Sequence, residues 1–332
     1  MPMTSKETLV QQTLTLLRER GKEALEVAKQ SIQQENIGYK PLQEALNYFI
    51  EEIFKDVMQP GLLSLYCEAV GGRPSDTVQV GAAMVLLVGA ADLHDDIIDG
   101  SATKNQKPTV LGKFGKDVTI LTGDALLIKG VYLLHEAIEG FHKKKAKAIL
   151  ELIKKAFFNL SSAEAEEAGY GGKNDLSSEE FLGIIKRKLA VAEATGKIGA
   201  LIGNGTVADV ETLGNLGRIL GLLNTLRDEF IDVFEPEELT NRFEKEILPL
   251  PVLFVFRDWA KREEIMRLLE SGKMTEKTIE KIVNIVMDAN ETRELRQMMR
   301  SEMSKGVTQL SRLEGCKEAF RLLLESSLED LE

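Results

Sequence analysis

Apolar residues recur along this chain three and four apart, the spacing of a helix face, from near its start to near its end. By that spacing, or by richness in helix formers, segments 5–35, 41–57, 75–99, 117–139, 143–168, 178–204, 208–234, 251–271, 275–291 and 293–330 are predicted helices. Strand-like alternation is weak, so the predicted fold class is all-α. Breaks fall at Pro60-Gly61, Gly71-Gly72, Gly100-Ser101, Gly171-Gly172, Pro236 and Pro249-Leu250-Pro251. Ser177, followed three residues later by Glu180, is a capping-box signature for the helix from 178. One segment departs from the one-sided pattern. Val78 to Ala91 is apolar nearly all round, which predicts a helix buried on every side, yet it is too short to span a bilayer.

That run leads into Asp92-Leu93-His94-Asp95-Asp96-Ile97-Ile98-Asp99. At about 100° per residue the four carboxylates share an arc of roughly 100°. No base stands at the flanking helical positions, and the next cation is Lys104, so a bound ion is the expected partner. All-oxygen ligands suit a hard cation such as Mg²⁺, which shares its shell with substrate phosphates. The alternative is a solvated acidic helix end. Against it, carboxylates on a buried helix are costly unless paired or coordinating metal. A second stripe lies downstream, where Asn224, Asp228, Asp232 and Glu235 share an arc of about 80° with Glu229 to one side. Glu235, Glu237 and Glu238 flank Pro236 and read equally well as surface charge. Together the stripes suggest two carboxylate clusters facing each other across a cavity and clamping a polyanion through divalent ions.

Composition narrows the class. With 332 residues and 43% hydrophobic content the chain can bury a large core, and no linker or repeat divides it, so residues 1–332 are expected to form a single domain. A net charge of −11 argues against nucleic acid and requires that an anionic substrate be received through metal ions and a few local bases. Cys67 and Cys316 fit a reducing compartment, and the N-terminal MPMTSKETLVQQ lacks a signal-peptide core. The expectation is a cytoplasmic protein with no transmembrane segment. Among the histidines, His94 points away from the acidic stripe and is expected to be packed or hydrogen-bonded. Glu139 and His142 make one Glu-x-x-His unit where a di-iron bundle needs two, and His135-Glu136 lacks the second histidine of a zinc-protease helix.

Read as DDIID with His94 before it, the first cluster resembles the first aspartate-rich motif of the trans-isoprenyl diphosphate synthases. Lys107-Pro108-Thr109-Val110, the segment Gly112 to Val118 and Leu121-Thr122-Gly123-Asp124-Ala125-Leu126-Leu127 resemble the stretch that follows it there. Gly221 to Asp232 resembles the second motif in degenerate form, with Glu229 in its second acidic place and Thr225 where the family has Gln. The likeness runs over roughly residues 40 to 250. It implies the isoprenoid synthase fold, a helical bundle around a central cavity, and a family that is usually dimeric. It also implies a Mg²⁺-dependent prenyltransferase that ionises an allylic prenyl diphosphate and condenses it with isopentenyl diphosphate. Carried over by position, Asp95, Asp99 and Asp228 would hold Mg²⁺, with Asp96 and Asp232 as direct or indirect support. Lys104, Arg187, Lys188, Arg242 and Lys245 are the candidate cations for the diphosphate. Small residues at Gly89, Ala90 and Ala91, below the first motif, would leave room for a long prenyl chain; tight helix packing explains them equally well.

The departures concentrate on the second substrate. Where the family carries Gly-Lys-Arg-x-Arg-Pro this chain reads Lys55-Asp56-Val57-Met58-Gln59-Pro60, and Lys104-Asn105 stands in place of an Arg-Arg pair. Lys186-Arg187-Lys188 lies near the family's Lys-Thr pair, and the stretch Glu238 to Lys245 replaces a Gly-Lys-rich loop. The allylic site is therefore expected to be mostly intact and the isopentenyl site eroded. Three alternatives follow: an enzyme that uses the allylic diphosphate alone, as a cyclase or with another acceptor; a subunit of a heteromeric synthase; and an acidic helical scaffold that binds neither metal nor diphosphate.

Overall fold

The computed structural model describes residues 8–55, 57–104, 106–172, 176–271, 275–313 and 315–329. In chain order the elements are α1 (Leu9–Gln33), α2 (Lys40–Tyr48), a π-helical turn (Phe49–Ile53), α3 (Met58–Ala69), a 3₁₀ turn (Pro74–Thr77) and α4 (Val78–Asp99). A two-stranded hairpin of β1 (Thr103–Lys104) and β2 (Lys107–Pro108) follows, then α5 (Val110–Phe114), α6 (Lys116–Glu139), α7 (Lys143–Tyr170), α8 (Ser178–Lys188) and α9 (Ala190–Ile202). The remainder is α10 (Val207–Phe234), α11 (Pro236–Lys245), α12 (Leu250–Val255), α13 (Trp259–Glu270), α14 (Glu276–Asp288), α15 (Asn290–Leu310) and α16 (Lys317–Ser326). The all-α expectation holds, the single ladder among the described residues being the short antiparallel hairpin.

Several helix boundaries differ from the sequence reading for local reasons. Pro60-Gly61 reads as a break but lies in the first turn of α3, where a missing N–H costs no helical bond. Segment 41–57 does not stay α-helical, because Phe54 N–H reaches back five residues to Phe49 C=O at 2.7 Å and opens the π turn. Segment 178–204 divides at Leu189, 251–271 after Val255, and 293–330 after Leu310, while Pro236 opens α11 instead of a loop. Ser177 and Glu180 do form the capping box at α8.

The chain divides into two compact units. The first comprises Met1–Leu152, Thr195–Gly214 and Leu313–Ala319. Within it α4 packs along α6, and α1, α3 and α4 pack on one another around Leu17, Leu46, Leu63, Leu86 and Leu93. Glycines let these helices approach closely. A Cβ on Gly61 would lie 2.6 Å from Leu17 C=O, and one on Gly21 would lie 2.7 Å from Val57 C=O. A Cβ on Gly89 would lie 2.9 Å from the Phe49 ring, so packing uses that small residue. Residues 80–87, 89 and 90 of α4 are buried, while Val88 and Ala91 are half-buried. The helical runs Pro74–Asp99 and Lys116–Glu139 are long and apolar enough by composition to cross a membrane, which exceeds the sequence reading of residues 78–91 alone. Of the first run's apolar window 67% is buried inside the protein, as in the core helix of a soluble protein.

The second unit comprises Ile153–Ala194, Asn215–Arg312 and Phe320–Glu332. Its short α12 is buried along its whole length and packs against α8, α14 and α15. Phe181, Leu223, Phe230, Ile282 and Leu295 complete that core.

Gly61→Ala is expected to cost about 1–3 kcal/mol through overpacking of α1 against α3, read as a lower urea midpoint at unchanged slope. An unchanged midpoint would show that the two helices can separate without loss.

Candidate active site

The first acidic motif is the last two turns of α4, and its four carboxylates are not equivalent. Asp92, Asp95 and Asp99 are half-buried, whereas Asp96 is 1% exposed. The sequence placed no cation on this stripe, but the hairpin returns one. Lys104 Nζ lies 2.7 Å from Asp96 Oδ1 and 3.3 Å from Asp92 Oδ1. Burial pushes the Asp96 carboxyl up to about 6, against the opposing pull of Lys104. Burial also works against the Lys104 ammonium, but Asp92 and Asp96 outweigh it and hold its pKa above the ordinary value. Lys104 is thus engaged as an internal counter-ion to two of the four acids.

The segments after the motif hold this arrangement in place. Thr109 is fully buried; its hydroxyl donates to Ser101 C=O at 2.7 Å and accepts from Gly112 N–H at 3.1 Å, tying the hairpin to α5. Tyr48 Oη donates to Pro108 C=O at 2.7 Å, and Lys107 pairs with Glu52 at 3.5 Å, so the π turn and α2 brace the hairpin from the other side. His94 Nε2 lies 3.4 Å from Asp124 Oδ1, and Gly123 lacks the Cβ that would press on the imidazole at 2.6 Å. The Gly123-Asp124 pair therefore accommodates His94, which behaves as a packed and paired side chain.

In the other unit the second motif lies on the last turns of α10. Asp228 is exposed, Asp232 half-buried and Glu229 buried, while Thr225 and Asn224 are half-buried, with Asn224 Oδ1 accepting from Ser327 Oγ at 2.9 Å. Glu235 leaves the helix: its backbone is extended and it precedes α11. Although open to solvent on one side, the Asp228 carboxyl is surrounded by enough protein that desolvation raises it to about 6. Desolvation raises Asp232 further, to about 7, against the pull of Arg242 and with the neighbouring Glu229 charge adding to the rise. Arg242 is itself buried and held above its ordinary pKa by Glu229 and Asp232, which overcome the cost of its burial.

The remaining candidate cations also meet acids of their own. Arg187 pairs with Glu166, and Lys188 pairs with Glu167 and, at 2.8 Å, with Glu164, so an acidic row on α7 faces the bases of α8. Burial opposes the Lys188 charge, but Glu167 and Glu164 hold its pKa at about 12. Arg187 Nε is enclosed without a hydrogen-bond partner among the described residues. Lys245 is exposed and makes no ion pair with a described residue. Of the eroded stretch, Lys55 is exposed, Gln59 accepts from Thr195 Oγ1 at 2.7 Å, and Asp56 lies outside the described residues, as does Asn105.

Among the described residues no three acids, histidines or cysteines converge into a ready-made metal cage. Asp95 and Asp99, one turn apart with oxygen donors only, nevertheless fit a hard divalent ion that takes the rest of its shell from substrate oxygens and water. Without divalent ions, Asp96, Asp228 and Asp232 make stability pH-dependent. Their folded pKa values lie above those of the unfolded chain, so the native state binds more protons between about pH 4 and 7 and stability falls as pH rises through that window. The expected outcome is a thermal midpoint several degrees lower at about pH 7.5 than at about pH 5 in chelator. A rise across the same interval would contradict the assigned environments.

Residues 39–286 match the family described as Polyprenyl synthetase. A short chain isoprenyl diphosphate synthase of Methanothermobacter thermautotrophicus is 31% identical over 183 residues, 54% of this chain and 55% of that protein. A geranylgeranyl diphosphate synthase of Sulfolobus acidocaldarius is 27% identical over 223 residues, 67% of this chain and 65% of that protein. The chain thus spans between half and two thirds of the length of these relatives. Among solved structures, geranylgeranyl pyrophosphate synthetase from Pyrococcus horikoshii superimposes with a TM-score of 0.83 at 22% identity, over 97% of this chain and 99% of that one. A polyprenyl synthase from Caulobacter crescentus, complexed with calcium and isoprenyl diphosphate, gives 0.79 at 20% identity over 100% of both chains. These likenesses establish the all-α isoprenoid synthase fold. With three quarters of its length under one family description, the chain belongs to the polyprenyl synthetase family.

Proposed function

We propose that this protein is a Mg²⁺-dependent prenyltransferase that ionises an allylic prenyl diphosphate and condenses it with isopentenyl diphosphate, residues 1–332 acting as one catalytic domain. The observation that carries the reading is the acidic end of α4. A buried apolar helix terminates in four carboxylates, Asp92, Asp95, Asp96 and Asp99, gathered on one stripe of its last two turns. Family membership, the names of the relatives and the divalent ion with isoprenyl diphosphate in the Caulobacter structure support the same chemistry.

In this reading Asp95 and Asp99 of the first motif, and Asp228 with Asp232 of the second, hold divalent ions, and Mg²⁺ when bound supplies Lewis-acid neutralisation of the departing diphosphate. Lys104 keeps Asp96 and Asp92 from adding further unmatched charge beneath that group. Ala91 and Val88, half-buried and within about 40° of Asp95 around the helix, present little volume and no nucleophile to the prenyl chain. Arg187, whose Nε has no bond within the described residues, is the base best placed to donate to a diphosphate oxygen. Lys245, exposed and without an ion pair to a described residue, is the other.

A second reading uses the allylic diphosphate without isopentenyl diphosphate, or needs a related subunit to supply the second site. It is favoured by one observation: Lys104, Lys188 and Arg242 are committed to the chain's own acids, and Gln59 stands bonded to Thr195 where bases are expected. An exposed apolar stripe on α6, formed by Leu121, Ile128 and Tyr132, supports assembly with a second copy or a related chain. The unpaired cysteines support a cytoplasmic site of action.

Incubation of the purified chain with Mg²⁺, labelled isopentenyl diphosphate and allylic diphosphates of increasing length is expected to give elongated products, abolished by Asp95→Ala with the fold retained. Diphosphate release without elongation would establish the second reading, and unchanged turnover in Asp95→Ala would remove both. Ile128→Glu is expected to reduce the assembly to monomers in light scattering. A wild-type protein that is already monomeric at micromolar concentration would refute the α6 interface.

A further inference from the structure

Arg242 is 8% exposed, and each of its three nitrogens donates inside the protein. Nε donates to Ile247 C=O at 2.6 Å, Nη1 to Asp232 Oδ2 at 2.9 Å, and Nη2 to both Glu229 oxygens at 3.1 and 3.0 Å. Glu229 Oε2 in turn accepts Leu250 N–H at 2.7 Å, the first amide of the buried helix α12. Glu246 Oε2 stands 3.8 Å from Nε, and the guanidinium carbon lies 5.9 Å from the centre of the buried Phe181 ring. One side chain thus fastens the acidic end of α10 to its own helix α11, to the segment before α12 and to the start of α12. This takes a planar fork with fixed donors, which an ammonium cannot supply.

The arrangement changes what the second motif can offer. Glu229 stands in an acidic place of the motif by resemblance, but it is turned into the protein and fully used. Asp232 gives one oxygen to Arg242 and keeps Oδ1. Resting on the functional reading above, we propose that Arg242 is a positioning residue for the second acidic motif and not a ligand of the diphosphate. It withdraws Glu229 and fixes Asp232, so that this motif meets a divalent ion through Asp228 and the remaining oxygen of Asp232. Two carboxylates in place of three, one of them pre-oriented by a buried ion pair, make the motif dependent on Arg242 for its affinity for the ion.

The test uses full-length protein and farnesyl thiolodiphosphate, an unreactive analogue, with binding followed by calorimetry over a Mg²⁺ series. Arg242→Lys keeps the charge and loses the fork. It is expected to raise the Mg²⁺ concentration for half-maximal binding about tenfold, to change analogue affinity at saturating Mg²⁺ less than twofold, and to lower kcat more than it raises KM. The double variant Arg242→Met with Glu229→Gln leaves no buried unpaired charge on that pair and is expected to fold with the same shift in Mg²⁺ requirement, which keeps the test available if the lysine variant does not fold. Affinity lost equally at saturating Mg²⁺ would make Arg242 a substrate contact and overturn the proposal. A lower thermal midpoint with an unchanged Mg²⁺ requirement would make it purely structural and also overturn it. Failure of the functional reading is recognised separately, because wild-type protein would then bind no analogue at any Mg²⁺ concentration.

Discussion

Lys104 reaches from a two-stranded hairpin to lie 2.7 Å from a carboxylate buried to 1% exposure at the end of an apolar helix. Without that ammonium Asp96 would be an unpaired charge in a low-dielectric setting, the kind of group a folded protein neutralises or excludes. The contact accounts for much of its surroundings. Thr109 and Tyr48 close the hairpin so that Lys104 arrives at the right depth, and the Gly123-Asp124 pair takes the neighbouring His94. Asp92 and Asp96 are thus both matched from within the protein.

The second unit solves the same problem differently. Its buried acid Glu229 is matched by a guanidinium instead of an ammonium, and Asp232 shares it, which leaves Asp228 as the exposed member. The acidic row Glu164, Glu166 and Glu167 repeats the pattern against Arg187 and Lys188. A chain with net charge −11 thus spends most of its local cations on its own carboxylates. In the proposed function the binding of an anionic diphosphate then falls chiefly to divalent ions.

The helical architecture and the first acidic motif could be read from the chain because both are local: a period near 3.6 and four acids within one stripe. What could not be read is what depends on turns. Lys104 read as a base for the diphosphate, and its pairing with Asp92 and Asp96 was missed because it is made through a hairpin and not along the helix face. Helix α3 was hidden by Pro60-Gly61, which reads as a break unless proline's tolerance in a first helical turn is considered. Arg242 read as a candidate cation for the diphosphate, in a stretch between predicted helices. Only the fold-back after Glu235 carries it into contact with Glu229, thirteen positions earlier. The small residues below the first motif proved to serve packing at Gly89, against Phe49, while Ala91 and Val88 stay on the side of Asp95.

In the proposed function the carboxylates of the acidic motifs bind a divalent ion only together with a diphosphate. Electron paramagnetic resonance of Mn²⁺ in the presence of wild-type protein addresses this directly, because protein-bound Mn²⁺ loses the sharp signal of the free ion. Little uptake is expected from protein alone, where no three-ligand cage exists among the described residues, and stoichiometric uptake once a thiolodiphosphate analogue is added. Analogue binding with no uptake of Mn²⁺ would contradict it.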